Sequence, residues 1–479
     1  MTGKHVKFLI IGAGPTGLGA AWRLNELKKD EWLILERSNI PGGLASSVVD
    51  QNGFTWDLGG HVLMSHYGYF DQVVDRCMGK DWVHHQREAS VWLRGLFVPY
   101  PLQNNIWRLP AAELMRCLDG LLSVHNKPAT PLRSDSFEDW IFRNFGAGLA
   151  DVFFLPYNYK VWAYPPDRMS ACWIQERVAT VDLSRILRNL VLRQDDVGWG
   201  PNSTFRFPLR GGTGAIWKRL VEMLPQERIT MGAEVVAIDS QNKRVELSNG
   251  STVAYDFLVT SMPLNQLLTK LSGIADLSGY CDKFLYSSTN LIGIGLAGAP
   301  PPALKTNCWM YFVEDEFPFY RCTVFSNYSS HNVPKPGQQW SLLCEVSESP
   351  EKFVQQNRIA DQTIDALKGI GLISKQDTIV SLWQTRLEHG YPTPFLGRDE
   401  VLEPINKRLA AADIFSRGRF GAWKYEVSNQ DHSFMQGVEA IDHILFGTEE
   451  MTYYHPTVVN SGKSDRRRGA PPPSTEFPN

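Results

Sequence analysis

Three glycines, Gly12, Gly14 and Gly17, stand in the stretch FLIIGAGPTGLGAAWRL, between an apolar strand-like run and a helical one. The spacing G-x-G-x-x-G builds a phosphate cradle. The first glycine permits a tight turn, the second lets a pyrophosphate approach the backbone, and the third lets the helix pack close to the strand. Phosphates then meet the N–H groups and positive dipole of the helix start. Glu36 closes the next apolar run, WLILE, where a carboxylate can accept hydrogen bonds from a ribose diol. The same carboxylate repels a 2′-phosphate, which argues against NADP at this position. A dinucleotide cofactor follows from these residues.

The elements that must hold this cradle alternate. Val6–Ile11 reads as strand, Gly17–Leu27 as helix and Trp32–Glu36 as strand, the opening of a doubly wound α/β domain. From about 109 to 192 the pattern is mainly helical, in AAELMRCLDGLLSVH, SFEDWIFRNFG and DLSRILRNLVLRQ. Asp135 or Ser136 is placed to cap the second of these helices, and Asp182 the third. FRFPLRGGTGAIWKRLVEML gives a Gly-rich turn and a helix, and ITMGAEVVAIDSQNKRVELSNGSTVAYDFLVTSMP gives strands around a hairpin. Residues 285–385 are rich in strand tracts, among them NLIGIGLAG, TVFSNY and WSLLCEV. An apolar helix, SFMQGVEAIDHILFG, follows, and the polar, Pro-rich tail from 461 to 479 lacks the apolar residues to order itself.

Composition bounds the function classes. A chain of 479 residues, 43% hydrophobic, can bury a large core in two or three domains. Its net charge of -3 gives no support to a nucleic-acid or membrane-surface partner, so any anionic ligand must be met by a few placed arginines or lysines. The 7 cysteines are scattered and never spaced C-x-x-C, which indicates a reducing compartment and no structural zinc. The N-terminus carries no signal-peptide pattern, and no run of about 18 apolar residues spans a bilayer. These features predict a soluble, cytoplasmic protein without a metal site, and leave a homo-oligomer open.

Arg37 followed by Gly42–Gly43 in ERSNIPGGLAS resembles the second fingerprint of the large FAD-dependent oxidase group, as does TWDLGGH with Asp57, Gly59, Gly60 and His61. At FFLPYNYKVWAYP, FYRCTVFSNY and GRFGAWKYEVSNQDHSFMQGVEAID the chain more narrowly resembles eukaryotic UDP-galactopyranose mutase, from about residue 6 to 446. That resemblance implies interconversion of UDP-galactopyranose and UDP-galactofuranose without net oxidation. In the family, reduced FAD is the active form, its N5 attacks the anomeric carbon and displaces UDP, and NADPH reduces the flavin in eukaryotic members. The cofactor would thus act as a nucleophile.

The resemblance also assigns residues. Arg177 and Arg321 match the family's diphosphate arginines, and Tyr311, Tyr391 and Tyr425 match tyrosines around the diphosphate and sugar. Arginine suits this role because its planar fork grips phosphate oxygens at two points. Asn158 and Trp162, four apart on one side of a helical turn, belong to the uridine side, with Gln103 matching the uracil contact and Asn202 a nearby polar one. Gly60 and His61 lie in the loop beside the flavin N5. Asn429, Gln430 and Ser433 sit where a helix start could direct its dipole at reduced flavin. Leu44 and Val236, with Gly43 and Asp57, complete the cofactor residues that the resemblance implies, and Arg87, Tyr100 and Arg419 would receive NADPH.

The predicted architecture is an α/β Rossmann-like FAD-binding domain from residues 1–75, 205–285 and 385–460, an inserted helical domain at 105–204, and an antiparallel β-sheet domain from 76–104 and 286–384. Loops near 180–203 are candidates for closing over the cleft. The rival reading is an FAD-dependent amine oxidase or desaturase, which would share the first two motifs but needs no paired diphosphate arginines.

Overall fold

The computed structural model describes residues 3–126, 136–174, 177–197, 203–274 and 277–461. Its first layer is an eight-stranded sheet with parallel strands at its centre. Lys4–Ile11 pairs in parallel with Trp32–Glu36 on one side and Thr252–Thr260 on the other, and Ile229–Met231 continues the sheet beyond Trp32–Glu36. All 5 residues of Trp32–Glu36 are buried, as a strand covered on both faces must be. Beyond Thr252–Thr260 the hairpin strands Val235–Asp239 and Arg244–Leu247 add antiparallel.

Helix Pro15–Glu26 leaves the Gly-rich turn with Pro15 in its first turn and no acidic residue there. It packs on the C-terminal helix Gln430–Phe446 at backbone range. A Cβ on Gly19 would sit 2.2 Å from the Phe434 carbonyl oxygen, and one on Gly437 would sit 1.9 Å from that of Thr16. Only a glycine at each position allows this approach, so residues from both ends of the sequence build one helix pair.

A second, seven-stranded sheet runs in the order Ile379–Pro392, Tyr286–Ala297, Gln339–Glu348, Arg321–Val324, Trp309–Phe312, Ala89–Leu93 and Leu96–Pro99. It is antiparallel except at one seam, where Trp309–Phe312 runs parallel to Ala89–Leu93. Two details differ from the sequence reading. Strand Ile379–Pro392 is continuous through the boundary expected at 384/385, because it pairs with Tyr286–Ala297 along almost its whole length. TVFSNY contributes strand only through Val324 and then turns as a 3-10 segment, Phe325–Asn327.

Helices Ala111–His125, Phe137–Leu149, Leu155–Trp162 and Leu183–Leu192 form an insertion that shares a buried core with Val91, Leu93 and Val98 of the seven-stranded sheet. Ser136 caps the second by accepting from the Asp139 N–H at 3.1 Å, and Asp182 caps the last by accepting from the Arg185 N–H at 3.2 Å. Asp135 lies outside the described residues, as do Asn202, part of the 180–203 loop and the tail from 462. Among the described residues no helix is long and apolar enough to cross a membrane.

Candidate active site

The cradle forms where strand Lys4–Ile11 meets helix Pro15–Glu26. Gly12 has φ of +104°, a backbone that disfavours any side chain. A Cβ on Gly17 would lie 1.9 Å from the Gly12 carbonyl oxygen, so the turn and the helix are locked together. At Gly14 the nearest atom to such a Cβ is 3.8 Å away, on Gly42, which leaves the backbone face open. Gly43 stacks on Gly14 from the second fingerprint, and the Gly42 N–H donates to the Ala13 carbonyl at 2.8 Å. An open backbone face over an acid-free helix start fits the pyrophosphate of FAD. Glu36 is 8% exposed and accepts from the Ala13 N–H at 2.6 Å and the Ser38 N–H at 2.8 Å. Each oxygen has one donor, so lone pairs remain for ribose hydroxyls.

The other expected cofactor residues divide. Leu44 is half-buried beside the cradle, and Arg37 is exposed at its edge. Asp57 is fully buried. It accepts from the Ser47 hydroxyl and the Thr213 N–H, and burial pushes its carboxyl up to about 7. Its side chain is therefore occupied in tying the loop to the start of helix Gly214–Glu222. Val236 sits at a register shift between Val235 and Ala237 and is 37% exposed, whereas Ala233 makes the contact with Glu36, its N–H donating to the Glu36 carbonyl at 2.7 Å. Asn429 precedes helix Gln430–Phe446 and Ser433 lies buried in its first turn. Gln430 accepts from Trp217 Nε1 at 3.0 Å.

The substrate candidates converge from distant segments. Tyr311 and Arg321 fall on two antiparallel strands and stand directly opposite each other, so they share a face by register. Trp162 is fully buried and packs edge-on against Tyr425 at 4.7 Å and Tyr391 at 5.7 Å between ring centroids. Arg177 lies 4.7 Å over the Tyr425 ring and donates to the Glu426 carbonyl at 3.0 Å and to Asn429 Oδ1 at 3.3 Å. Its Nε is buried without a partner among the described residues. Tyr311, Tyr391 and Tyr425 have no hydrogen-bond partner for their hydroxyls among the described residues. All three are half-buried, so the hydroxyls are available to a ligand.

His61 faces Arg419, Arg321 and Glu345. Burial pushes its imidazole down to about 4, and the positive fields of Arg419 and Arg321 act in the same direction against the opposing carboxylate of Glu345. The ring is neutral at neutral pH. Arg419, expected at a nicotinamide-nucleotide site, lies 4.7 Å over Tyr391 and 5.5 Å over Tyr425, and donates to Ser428 Oγ and the Gly390 carbonyl. Arg87 and Tyr100 form a separate pair 5.1 Å apart, connected to the site through the Tyr100–Tyr311 ring contact at 5.4 Å.

On the uridine side, Gln103 is 2% exposed. Its Nε2 donates to the Ala179 carbonyl at 2.9 Å and its Oε1 has no partner among the described residues. Asn158 is buried and donates back to the Phe154 carbonyl of its own helical stretch at 2.8 Å.

Two features escaped the sequence reading. Glu345 is 1% exposed and forms a two-point ion pair with Arg321, Nε to Oε1 and Nη2 to Oε2 both at 2.8 Å. An acid within the otherwise apolar run WSLLCEV is the signal that could have found it. The second is a buried group of His66, Asp431 and His432 with metal-ligand geometry. His66 Nδ1 lies 2.7 Å from Asp431 Oδ2, and His432 Nε2 lies 2.9 Å from Asn460 Oδ1.

A glycine cradle with an acid at the second strand defines a dinucleotide-binding protein, and residues 15–278 match the model of the flavin containing amine oxidoreductases. A crystal structure of reduced UDP-galactopyranose mutase superimposes with a TM-score of 0.92 at 53% identity, covering 95% of this chain and 99% of that one. The chain belongs to this amine-oxidoreductase family, on its UDP-galactopyranose mutase branch, and FAD is its cofactor. A putative protoporphyrinogen oxidase from Exiguobacterium sp. 255-15 has 17% identity and a TM-score of 0.70, covering 94% of this chain and 100% of that one. Putrescine oxidase has 14% identity and a TM-score of 0.64, covering 92% and 99%. These two share the fold alone.

Proposed function

We propose that this chain interconverts UDP-galactopyranose and UDP-galactofuranose on reduced FAD, as a cytoplasmic flavin-dependent isomerase of the eukaryotic branch that uses NADPH as reductant. The observation that carries this reading is the convergence of Arg177, against Tyr425, and Arg321, against Tyr391 and Tyr311, on tyrosine hydroxyls that have no hydrogen-bond partner among the described residues. Reduced FAD, when bound, supplies a nucleophilic electron pair at N5 that is regained, so the reaction has no net redox change.

The chain's own residues do the holding. The diphosphate carries two negative charges while bonded to the sugar and gains a third as UDP departs, and two guanidinium groups plus three phenol donors can retain it while the sugar rearranges. Retention turns the return of UDP into an effectively intramolecular step. Trp162 walls the tyrosines on the side away from solvent. Gln103 offers an unpartnered buried oxygen to the uracil imide N–H. His61, uncharged, places no cation beside the ring. Arg87 and Tyr100, with Arg419 across the site, are our candidates for the NADPH phosphates and ring.

UDP-galactofuranose incubated with the dithionite- or NADPH-reduced protein should yield UDP-galactopyranose, and the oxidised protein almost none. Equal turnover by the oxidised form would refute the reading. Peroxide production from an amine substrate would favour the oxidase alternative.

A further inference from the structure

Glu345 stands on strand Gln339–Glu348, an inner strand of the seven-stranded sheet, between Tyr286–Ala297 and Arg321–Val324. Its carboxylate receives the Gly60 N–H at 3.0 Å, Arg321 Nε and Nη2 at 2.8 Å each, and the Tyr320 hydroxyl at 2.7 Å. A carboxylate has about four lone-pair positions, so four donors saturate it and hold it in one orientation. Both the acid and its strand are buried, which removes any alternative rotamer that reaches water.

The consequence falls on Arg321. A guanidinium has five N–H bonds. Glu345 occupies one on Nε and one on Nη2, which leaves about three (five less two) on the opposite edge. The side chain is 18% exposed, so that edge is open to a ligand, on the sheet face that Arg321 shares with its register partner Tyr311. Gly60 packs straight onto the pair. A Cβ there would be 3.0 Å from Glu345 Oε1 and 3.3 Å from Arg321 Nη2. Gly60 is the neighbour of His61 in the flavin loop.

We propose that Glu345 is a positioning residue. It fixes the plane of Arg321 for the diphosphate and, through the Gly60 N–H, ties that plane to the loop beside the flavin. The inference rests on the reading of Arg321 as a diphosphate ligand. It adds that occupation of the UDP site is felt at the flavin through this one carboxylate.

The test is UDP titration of the FAD-loaded, oxidised protein, followed by calorimetry and by the flavin absorption spectrum. In Glu345→Gln an amide nitrogen replaces one oxygen, so two of the four donors would face a donor. UDP should bind about tenfold more weakly, and the spectral change at saturating UDP should disappear. Glu345→Asp keeps the charge but not the reach, and should behave as Glu345→Gln does. If Glu345→Asp matches the native protein, charge alone suffices and positioning is wrong. If Glu345→Gln binds UDP within about twofold of native with the native spectral change, the proposal also falls. Should neither variant retain FAD, Tyr320→Phe removes a single donor. It should weaken UDP binding about threefold and shrink the spectral change, and native values for both would overturn the proposal. Failure of the native protein to bind UDP would instead sink the mutase reading itself.

Discussion

The phosphate cradle and the arginine–tyrosine cluster are built in opposite ways. The cradle uses Gly12, Gly14, Gly17, Glu36 and Gly43, contributed by a single strand–helix–strand run and the turn after it. The cluster gathers His61, Arg177, Tyr311, Arg321, Glu345, Tyr391, Arg419 and Tyr425 from the seven-stranded sheet, the loop after Thr55–Asp57, the helical insertion and the C-terminal segment. One site is specified by local spacing, the other by tertiary register. The difference also appears in how each site is held. The cradle is rigid because backbone meets backbone, while the cluster depends on charges balanced across strands.

Removing one balanced charge should therefore break the cluster most severely. Arg321→Ala leaves Glu345 buried and unpaired, which should cost about 3–5 kcal/mol of stability as well as about 10³-fold in reduced-enzyme turnover. Arg177→Ala separates the two effects. Its partners are a carbonyl and an amide oxygen rather than an acid, so turnover should fall about 100-fold with little change in melting temperature. Equal destabilisation by the two variants, read by thermal melts, would erase the distinction drawn between them.

The cradle should respond to volume rather than charge. In Gly17→Ala the added methyl meets the Gly12 carbonyl at 1.9 Å. The clash should cost about 1–3 kcal/mol and lower the FAD content of the purified protein, measured from flavin absorbance. Normal FAD content would show that the backbone contact can relax.

A pH series sharpens the electrostatic side. Folded His61 titrates near 4, below its usual 6.5, because burial and the nearby arginines disfavour the imidazolium. Above pH 6.5 both folded and unfolded chains hold this histidine neutral, and it contributes no slope. As pH falls from 6.5 toward 4 the unfolded chain takes up the proton first, so stability is progressively lost. Half-burial limits that loss to about 2 kcal/mol. Denaturant melts of His61→Asn should lack that part of the slope. The smallest effect expected is that of Tyr425→Phe, which keeps the ring against Trp162 and removes only the hydroxyl. UDP affinity should fall about fivefold, by calorimetry, with FAD content unchanged.

The local nature of the cradle explains why so much of it could be read directly. Strand Trp32–Glu36, helix Ala111–His125 and the caps at Ser136 and Asp182 lie where sequence spacing puts them. The first helix begins two residues earlier than periodicity indicates, since Pro15 is compatible with a helix start. The cluster was legible only through motif resemblance. Nothing in the spacing of Tyr311 and Arg321 shows that Pro318 falls in a turn between two paired strands. Glu345 is harder still, because its partner is chosen by strand register and its neighbours in sequence are apolar. The packing of Arg419 over Tyr391 and Tyr425 could not be read either, because cation–π geometry leaves no trace in spacing.

The glycine-to-carbonyl contacts between helices Pro15–Glu26 and Gln430–Phe446 carry a consequence for biosynthesis. The phosphate-binding turn is synthesised long before the helix that braces it. A nascent chain stalled before residue 430 thus has its nucleotide fingerprint without the surface that clamps it, and flavin capture becomes an event that waits for that helix.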